Sequence, residues 1–240
     1  MLAFEVLFAI LGLVIPLLII GGIVYVILKL RGSASLRFSY QDALRVYFYA
    51  MILISVGLLA LGGVSTLLKV GFGEILGREF SYGHVYVEHR SIQERLVNEQ
   101  ERLDNQLYPT RFEEETRSLT EKVEFAMRTS LINGVSLTAI GVFLWLVHFF
   151  GRRWVETQDQ RSDSLRKLYL MAGLIIFAMT TIVSLSTGIP EALRYALLDI
   201  NPGEESPGEP LSIAIVGLPV WLLYLVATIR TMRNSSFKDN

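Results

Sequence analysis

The residues that could bind a cofactor include His148, one of only three histidines in the sequence. It lies near the end of an apolar run, where an embedded imidazole can act as an axial ligand to haem or a chlorin. The alternative is a histidine at the membrane boundary that hydrogen-bonds a neighbouring helix. The second interpretation is favoured because the matching position of an internal repeat is Tyr224, so no symmetric pair of ligands exists. We therefore expect no bound cofactor.

A second group, His84, Glu88 and His89, contains residue types that bind metal ions. The group lacks the H-E-x-x-H spacing that places two imidazoles on one face of a helix. Tyr82 and Tyr86 lie in the same segment, and aromatic residues of this kind also form belts at membrane surfaces. The segment is therefore a candidate metal site, and an interfacial aromatic belt is the simpler alternative interpretation.

No residue pattern in the sequence predicts a catalytic site. The absence of cysteine excludes disulfides, thiolate metal sites and cysteine nucleophiles. Gly71, Gly73 and Gly77 resemble a phosphate-binding loop, but their spacing is too long by one residue for the dinucleotide fingerprint. They follow a long apolar run, so glycines that end a helix are the better interpretation. The sequence therefore favours a protein that is not an enzyme.

The elements that carry these residues are long apolar segments. Hydrophobic residues make up 52% of the 240 residues, which is high for a soluble protein. They are gathered into runs of about 20 residues, the length that a helix needs to cross about 30 Å of hydrocarbon. The first run lacks the basic start and the cleavage site of a signal peptide. The sequence predicts an all-α bundle of five transmembrane helices at residues 6–28, 46–68, 131–150, 168–189 and 211–229.

The orientation in the membrane follows from basic residues in the short connections, which tend to remain in the cytoplasm. One side of the membrane receives Lys29, Arg31, Arg37, Arg45, Arg152, Arg153, Arg161, Arg166, Lys167, Arg230, Arg233 and Lys238. The opposite connection at 190–210 has Arg194 alone against five acidic residues. We predict a multi-pass protein of the cell membrane with its N-terminus outside and its C-terminus in the cytoplasm. The net charge of −1 gives no field that would attract nucleic acid.

Two parts of the sequence are similar to each other. Leu44-Arg45 and Phe48 recur as Leu165-Arg166 and Tyr169 at the start of the second and fourth spans, and Gly71 and Gly188 are expected to end them. Later in each part, Gly141 and Trp145 recur as Gly217 and Trp221, which predicts that they pack the repeats. Each part forms one hairpin, and the two hairpins are parallel repeats. The predicted units are 1–36, 37–155 with an insertion at 78–128, and 156–240.

Those repeated segments resemble a family of bacterial membrane proteins classed as a domain of unknown function, whose hairpins end in a G-x-P-x-W-L-x-H-like motif. The resemblance covers roughly residues 37–230, apart from the stretch between spans two and three, and rests mainly on 217–224 and 165–169. The sequence departs from the motif at Tyr224, where the family has His, and at Phe143, where it has Pro. The resemblance implies the architecture and no activity.

The insertion at 78–128 is polar, and two S/T-x-x-E patterns at 91–94 and 110–113 predict the starts of two helices. The break between them falls at Tyr108-Pro109, so they form a helical hairpin outside the membrane. Apolar residues at helical spacing form one stripe on each arm. The stripes either bury each other or dock a partner, through Ile92, Leu96, Leu103, Leu107, Phe112 and Leu119.

Three classes of function remain after these arguments. An accessory, assembly or scaffold subunit of a membrane complex fits charge-free spans and a docking hairpin, with a membrane protein or a second copy as partner. A small transporter or channel fits the parallel repeats. A haem- or pigment-binding subunit fits only His148.

The orientation is testable because introduced cysteines are unique in this chain. We expect an impermeant thiol reagent to label Asn98→Cys and Asn201→Cys in intact cells, since both positions lie outside in the predicted orientation. Ser162→Cys should stay unlabelled until the membrane is permeabilised. Labelling of Ser162→Cys alone in intact cells would reverse the orientation.

Overall fold

A computed structural model describes residues 40–104, 118–155, 163–198 and 201–236. These ranges contain helices and short connections, and no β-strand occurs within them, which confirms the all-α class. Helix α1 covers residues 40–75 and has three parts, α-helical Tyr40–Gly57, π-helical Leu58–Val64 and α-helical Ser65–Ile75. The remaining helices are α2 (Arg78–Asp104), α3 (Leu119–Val155), α4 (Asp163–Leu197) and α5 (Gly208–Ser236).

Four of these helices, α1, α3, α4 and α5, are long and apolar enough to cross a membrane. Their outward faces carry large apolar side chains, and Ile132, Phe143 and Leu223 are each about two thirds exposed. Such exposure is costly in water and neutral in lipid, which is as apolar as these side chains. Four of the five predicted spans are therefore confirmed as helices of membrane-spanning character, while the first, at 6–28, lies outside the described residues.

The four long helices alternate in direction. At one end, which we call the His148 end, Tyr47 near the start of α1 reaches His148 near the end of α3. At the opposite end, which we call the Lys69 end, Lys69 of α1 pairs with Glu209 at the start of α5. Helix α1 packs against both α3 and α5, and α5 packs against α4. Helix α1 is therefore the central element of the described spans.

Glycines allow the helices to approach closely where they cross. A Cβ atom on Gly141 of α3 would lie 2.8 Å from the backbone nitrogen of Leu59, and one on Gly63 of α1 would lie 2.7 Å from that of Thr138. The buried positions Met127, Gly134, Gly141 and His148 of α3 recur every seven residues, so one narrow seam of α3 faces α1. Small residues at such seams are typical of helix packing in membranes.

Two helix ends differ from the prediction. Helix α1 continues past Gly71 and ends near Gly77, which has a φ of +110°, the conformation that favours glycine after a helix. Helix α4 continues through Gly188 and Pro190 to Leu197. The expectation that Gly71 and Gly188 end the spans was wrong. At Gly188 the reason is packing, because a Cβ there would lie 3.1 Å from the backbone of Leu211.

The predicted helix start at Ser91 was also wrong. Helix α2 begins at Arg78, is kinked at Tyr82, which has a non-helical φ of −126° and ψ of 27°, and then runs through Ser91, whose hydroxyl donates to the carbonyl of Glu88. The second predicted start, at 110–113, lies outside the described residues. A capping box does occur at the start of α3, where the Ser118 amide donates to the Glu121 carboxylate and the Glu121 amide donates to the Ser118 hydroxyl. From Leu119 the helix is continuous to Val155, so the second arm of the insertion and the third predicted span are one helix.

The close crossing of α1 and α3 predicts a difference between two glycine substitutions. We expect Gly141→Ala to destabilise the protein by about 1–3 kcal/mol, since its new methyl group would overlap the backbone of α1. Gly71→Ala meets no atom within 4 Å and should be neutral or stabilising by up to about 1 kcal/mol. Thermal unfolding in one detergent measures both, and equal losses would contradict the packing role of Gly141.

Candidate functional site

A polar cluster at the Lys69 end joins α1, α2 and the start of α5. We call it the Lys69 junction and define it as Lys69, residues 81–90 and residues 201–209. The Lys69 ammonium lies 2.5 Å from a carboxylate oxygen of Glu209 and 5.3 Å from the ring centroid of Tyr82. The Lys69 side chain is only 13% exposed, so the ion pair and the aromatic ring replace most of its water. Glu209 also lies in the first turn of α5, where the helix dipole favours a carboxylate.

The connection from α4 to α5 enters the junction through a tight turn. The amide of Glu204 donates to the carbonyl of Asn201 at 3.1 Å, and the two central residues are Pro202 and Gly203. Gly203 has a φ of +93°, which a type II turn requires at this position and which glycine adopts without strain. This turn aims the Pro202 carbonyl and Ser206 at α2.

The first turns of α2 are held by that connection. The Gly83 amide donates to the Ser206 hydroxyl at 3.2 Å, and Arg90 donates to the Pro202 carbonyl at 2.9 Å. The backbones are close, because a Cβ on Gly203 would lie 2.6 Å from the Gly83 carbonyl oxygen. The start of α2 is thus clamped to the connection that belongs to the other half of the chain.

Apolar packing fixes the same turns of α2 from the other side. Tyr82 and Val85 of α2 and Val123 and Met127 of α3 form a buried cluster, with Tyr82 and Val123 each only 1% exposed. Leu119 packs against this cluster. The beginning of α2 is therefore held between the connection to α5 and the first turns of α3.

Three side chains of α2 at the junction, Tyr82, His84 and Tyr86, have pKa values shifted towards their neutral forms. The partial loss of water around the exposed His84 imidazole, and after it the Lys69 ammonium, lower its pKa, although Glu209 and Glu88 act in the opposite direction. Burial raises the pKa of the Tyr82 and Tyr86 hydroxyls. The His84 ring is therefore neutral at pH 7, and its contribution to folding stability decreases as the pH falls below about 6.5.

The candidate metal residues lie on α2 without forming a closed ligand set. His84 and Glu88 are exposed, and the partly buried His89 is the next residue along the helix. In the described part of the chain, no three His, Asp or Glu side chains come together in a way that could hold a metal ion. The chemistry of the junction is therefore that of ion pairing and hydrogen bonding.

The candidate cofactor residue, His148, is buried at the other end of the molecule and uses both of its ring nitrogens. Nδ1 lies 2.7 Å from the Leu144 carbonyl, so it carries the proton and donates. Nε2 lies 3.2 Å from the Tyr47 hydroxyl of α1. A ring engaged in this way joins two helices, and an axial metal bond would have to replace the contact with Tyr47.

The residues predicted to dock a partner are distributed along α2 and beyond it. Ile92 and Leu96 are half-buried on α2, and Leu119 is also half-buried and packs against the Tyr82 cluster. Leu103 lies on α2 as well. Leu107 and Phe112 lie outside the described residues. The predicted stripe is therefore divided between an internal contact at Leu119 and a partly exposed surface on α2.

Of the four residues predicted to pack the repeats, Gly141, Gly217 and Trp221 contact neighbouring helices. Gly141 meets Leu59 of α1, and a Cβ on Gly217 of α5 would lie 2.7 Å from the Thr181 hydroxyl of α4. Trp221 packs against the buried cluster of Ala60, Leu170, Phe177 and Tyr224. Trp145 instead stacks on Phe149 of its own helix, with ring centroids 5.1 Å apart.

Part of the sequence that forms this site matches a known family. Residues 111–206 match the family model of a domain of unknown function (DUF5671). The matched segment contains α3, α4 and most of the connection in the Lys69 junction, so the expected domain of unknown function is confirmed for this part of the chain. It includes the entry motif at 165–169 and stops before 217–224. No curated protein and no solved structure matches the sequence.

The contacts of the junction were missed by the sequence reasoning. Tyr82 was considered only as part of an aromatic belt, Gly83 was not considered, and the connection at 201–209 was considered only as a short acidic link. Pro202-Gly203 is a turn signal in the sequence and predicts the turn itself. Arg90, which donates to the Pro202 carbonyl of that turn, is 112 residues away along the chain, and no local pattern indicates such a contact. The DUF5671 segment contains the turn and lacks the helix that it binds.

Two glycines with positive φ test the clamp. We expect Gly203→Ala to lose about 1–2 kcal/mol from the backbone conformation and about 1–3 kcal/mol more from overlap with the Gly83 carbonyl. Gly77→Ala should lose only the stability that the backbone conformation costs, about 1–2 kcal/mol, because the nearest atom to its Cβ is 3.8 Å away. Thermal unfolding and amide hydrogen exchange at 81–90 measure the difference. A Gly203→Ala protein with the stability of Gly77→Ala and unchanged exchange would contradict the clamp.

Proposed function

We propose that this chain is an accessory, assembly or scaffold subunit of a complex in the cell membrane, and that the distal part of α2 docks a partner. The supporting observation is the contrast along α2. Its first turns are clamped in the Lys69 junction, whereas Gln93, Glu94 and Val97 beyond them are exposed. We call the segment 93–104 of α2 the distal arm.

A clamped root gives the distal arm a fixed direction before any partner binds. Binding to a surface that is already ordered avoids the entropy cost of ordering it at that moment. Tyr82, buried to 1% exposure, and the bond from Arg90 to Pro202 hold the last turns before the distal arm. Ile92 and Leu96 remain half-buried where the arm begins, and they supply apolar area beside the charged residues. This composition fits the edge of a protein interface.

We place the Lys69 end outside the cell. Basic residues concentrate at the His148 end, with Arg152 and Arg153 ending α3 and Arg166 and Lys167 starting α4. Basic residues next to spans favour the cytoplasm. With five spans the N-terminus is then outside and the C-terminus is in the cytoplasm, and α2 with the first turns of α3 forms the extramembranous hairpin.

Two parallel hairpin repeats account for the position of this insertion. In the first hairpin His148 of α3 faces Phe48 of α1, with ring centroids 6.1 Å apart. At the matching positions Tyr224 of α5 faces Tyr169 of α4, at 5.8 Å, and the two hydroxyls hydrogen-bond. These matched contacts support the repeats, in which the first hairpin carries the insertion and the second has a short connection. In this proposal the repeats form the membrane core, and the insertion gives the first repeat a function that the second lacks.

The alternatives find less support in the same contacts. A transporter needs polar groups along a path, yet the hydroxyls of Ser55 and Thr228 donate to carbonyls of their own helices. The charges of the four helices lie near their ends. A haem- or pigment-binding subunit depends on His148, whose two nitrogens already have partners. A second copy of the chain or another membrane protein, within the lipid bilayer, is the proposed partner.

Removal of the distal arm tests the proposal without disturbing its root. Replacing residues 93–117 by a flexible Gly-Ser linker of about ten residues keeps the Tyr82 cluster, Arg90 and the capping box at Ser118. We expect the shortened chain to insert and to unfold near the temperature of the full chain. Partners that copurify with the full chain in mild detergent, or its dimer in light scattering, should be lost.

A site-specific photo-crosslinker provides the matched control. At Val97 on the distal arm, 56% exposed, it should capture the same partner in the membrane. At Phe143 of α3, 65% exposed, it should not capture that partner. Retention of every partner by the shortened chain, or a full chain that is monomeric and has no partner, would overturn the proposal and favour transport. An absorbance band from the purified protein would favour the cofactor class.

A further inference from the structure

The π-helical segment Leu58–Val64 interrupts the central helix of the molecule. At its end the amide of Ser65 donates to the carbonyl of Ala60, five residues earlier, in place of the usual four. The Leu61 carbonyl, which would receive that amide in an α-helix, instead accepts the hydroxyl of Ser65. The segment therefore contains one residue more than an α-helix of the same length. The Leu61 carbonyl, which has lost its backbone donor, is satisfied by the Ser65 side chain.

The extra residue lies between two anchored halves of α1. The first half is held at the His148 end, where Tyr47 bonds His148 and the Tyr49 ring lies 5.3 Å from that of Tyr169. The second half, Ser65–Ile75, is held at the Lys69 end by the ion pair of Lys69 with Glu209. Between the anchors, the segment crosses α3. A change in the segment would therefore move one half of α1 relative to the other.

We propose that this segment is a register hinge, in which α1 converts between the π-helical form and a continuous α-helix. In the continuous form, each residue after the π-helical segment occupies the position that the next residue in the sequence occupies in the π-helical form. The second half then turns by about 100° and advances by about 1.5 Å. Leu68 takes the place of Lys69 beside Glu209, and the ion pair separates. This inference does not depend on the docking proposal.

Adjacent pairs of similar residues suit the π-helical segment and the first turn after it to both registers. Gly63 now faces Thr138, and a side chain there would overlap it. In the shifted register Gly62 would occupy that place, so α3 meets a glycine in either form. Ser65 and Thr66 form a second pair, and the Thr66 hydroxyl already bonds the Gly62 carbonyl at 2.6 Å. Either register therefore offers a hydroxyl at the same level of the helix.

The hinge connects the helix crossing to the Lys69 junction. Lys69 would leave both Glu209 and the Tyr82 ring in the shifted register, so the clamp on α2 would lose one of its contacts. Conversely, whatever stabilises the pair of Lys69 with Glu209 would favour the π-helical form. The two forms thus differ at the junction as well as within the membrane.

Cross-linking of cysteine pairs detects the two registers. The variants are Lys69→Cys, Leu68→Cys and Val70→Cys, each combined with Glu209→Cys and treated with a short bifunctional thiol reagent in membranes. Lys69→Cys reports the observed register and Leu68→Cys the shifted one. Val70→Cys is displaced from Lys69 by the same angle in the opposite direction, so it measures the reach of the reagent. We expect cross-links at 69 and 68 and fewer at 70.

Deletion of Leu58 provides a locked control. The loss of one residue turns the π-helical segment into an α-helix, and both halves of α1 keep their positions. Cross-linking of Lys69→Cys should therefore persist. The yield of Leu68→Cys should no longer exceed that of Val70→Cys. Equal yields at 68 and 70 in the full chain would overturn the hinge, even if the deletion variant failed to fold. An excess at 68 that persists in a folded deletion variant would overturn it as well.

Discussion

Contact between helix backbones at glycines holds the four described spans together. In lipid no hydrophobic force drives apolar helices to associate, because the surrounding chains are equally apolar, and close packing has to supply the attraction. At the crossing of α1 and α3, Gly141 meets Leu59 and Gly63 meets Thr138 with no room for a methyl group. The other features of the molecule depend on α1 being central, since it is the helix that joins the two halves.

The Lys69 junction is a consequence of that arrangement. Because α1 lies between α3 and α5, its end comes close to the starts of both, and the first turns of α2 have to pass between them. The ion pair of Lys69 with Glu209 and the contact of Gly83 with Gly203 then join segments more than 100 residues apart. Polar contacts gather at this end of the described helices because the exposed side chains along the spans themselves are mostly apolar.

The positions of the spans were predictable from the sequence because apolar length is a local property that lipid selects directly. The helix ends were less predictable. Gly71 and Gly188 carry the residue type that stops helices, yet Gly188 packs against Leu211 and the helix continues. Ser91 has the spacing of a capping box but lies inside α2, because a pattern of four residues does not reveal whether a helix is already running. The same pattern at Ser118 is a true cap. The contacts of the junction and the π-helical segment depend on packing between distant parts of the chain, which a single sequence does not display.

The continuity of α3 makes this helix a lever as well as a span. Its 37 residues amount to roughly 55 Å, about 25 Å more than the roughly 30 Å of hydrocarbon that a span crosses. A rigid rod converts a tilt into a displacement that grows with distance from the pivot. Rotation by about 5° at the Gly141 crossing would move the Ser118 end of such a rod, about 33 Å away, by about 3 Å, from the helix dimensions alone. The cap at Ser118 lies at that end, so a force applied there would be transmitted to Gly141 through a single continuous helix.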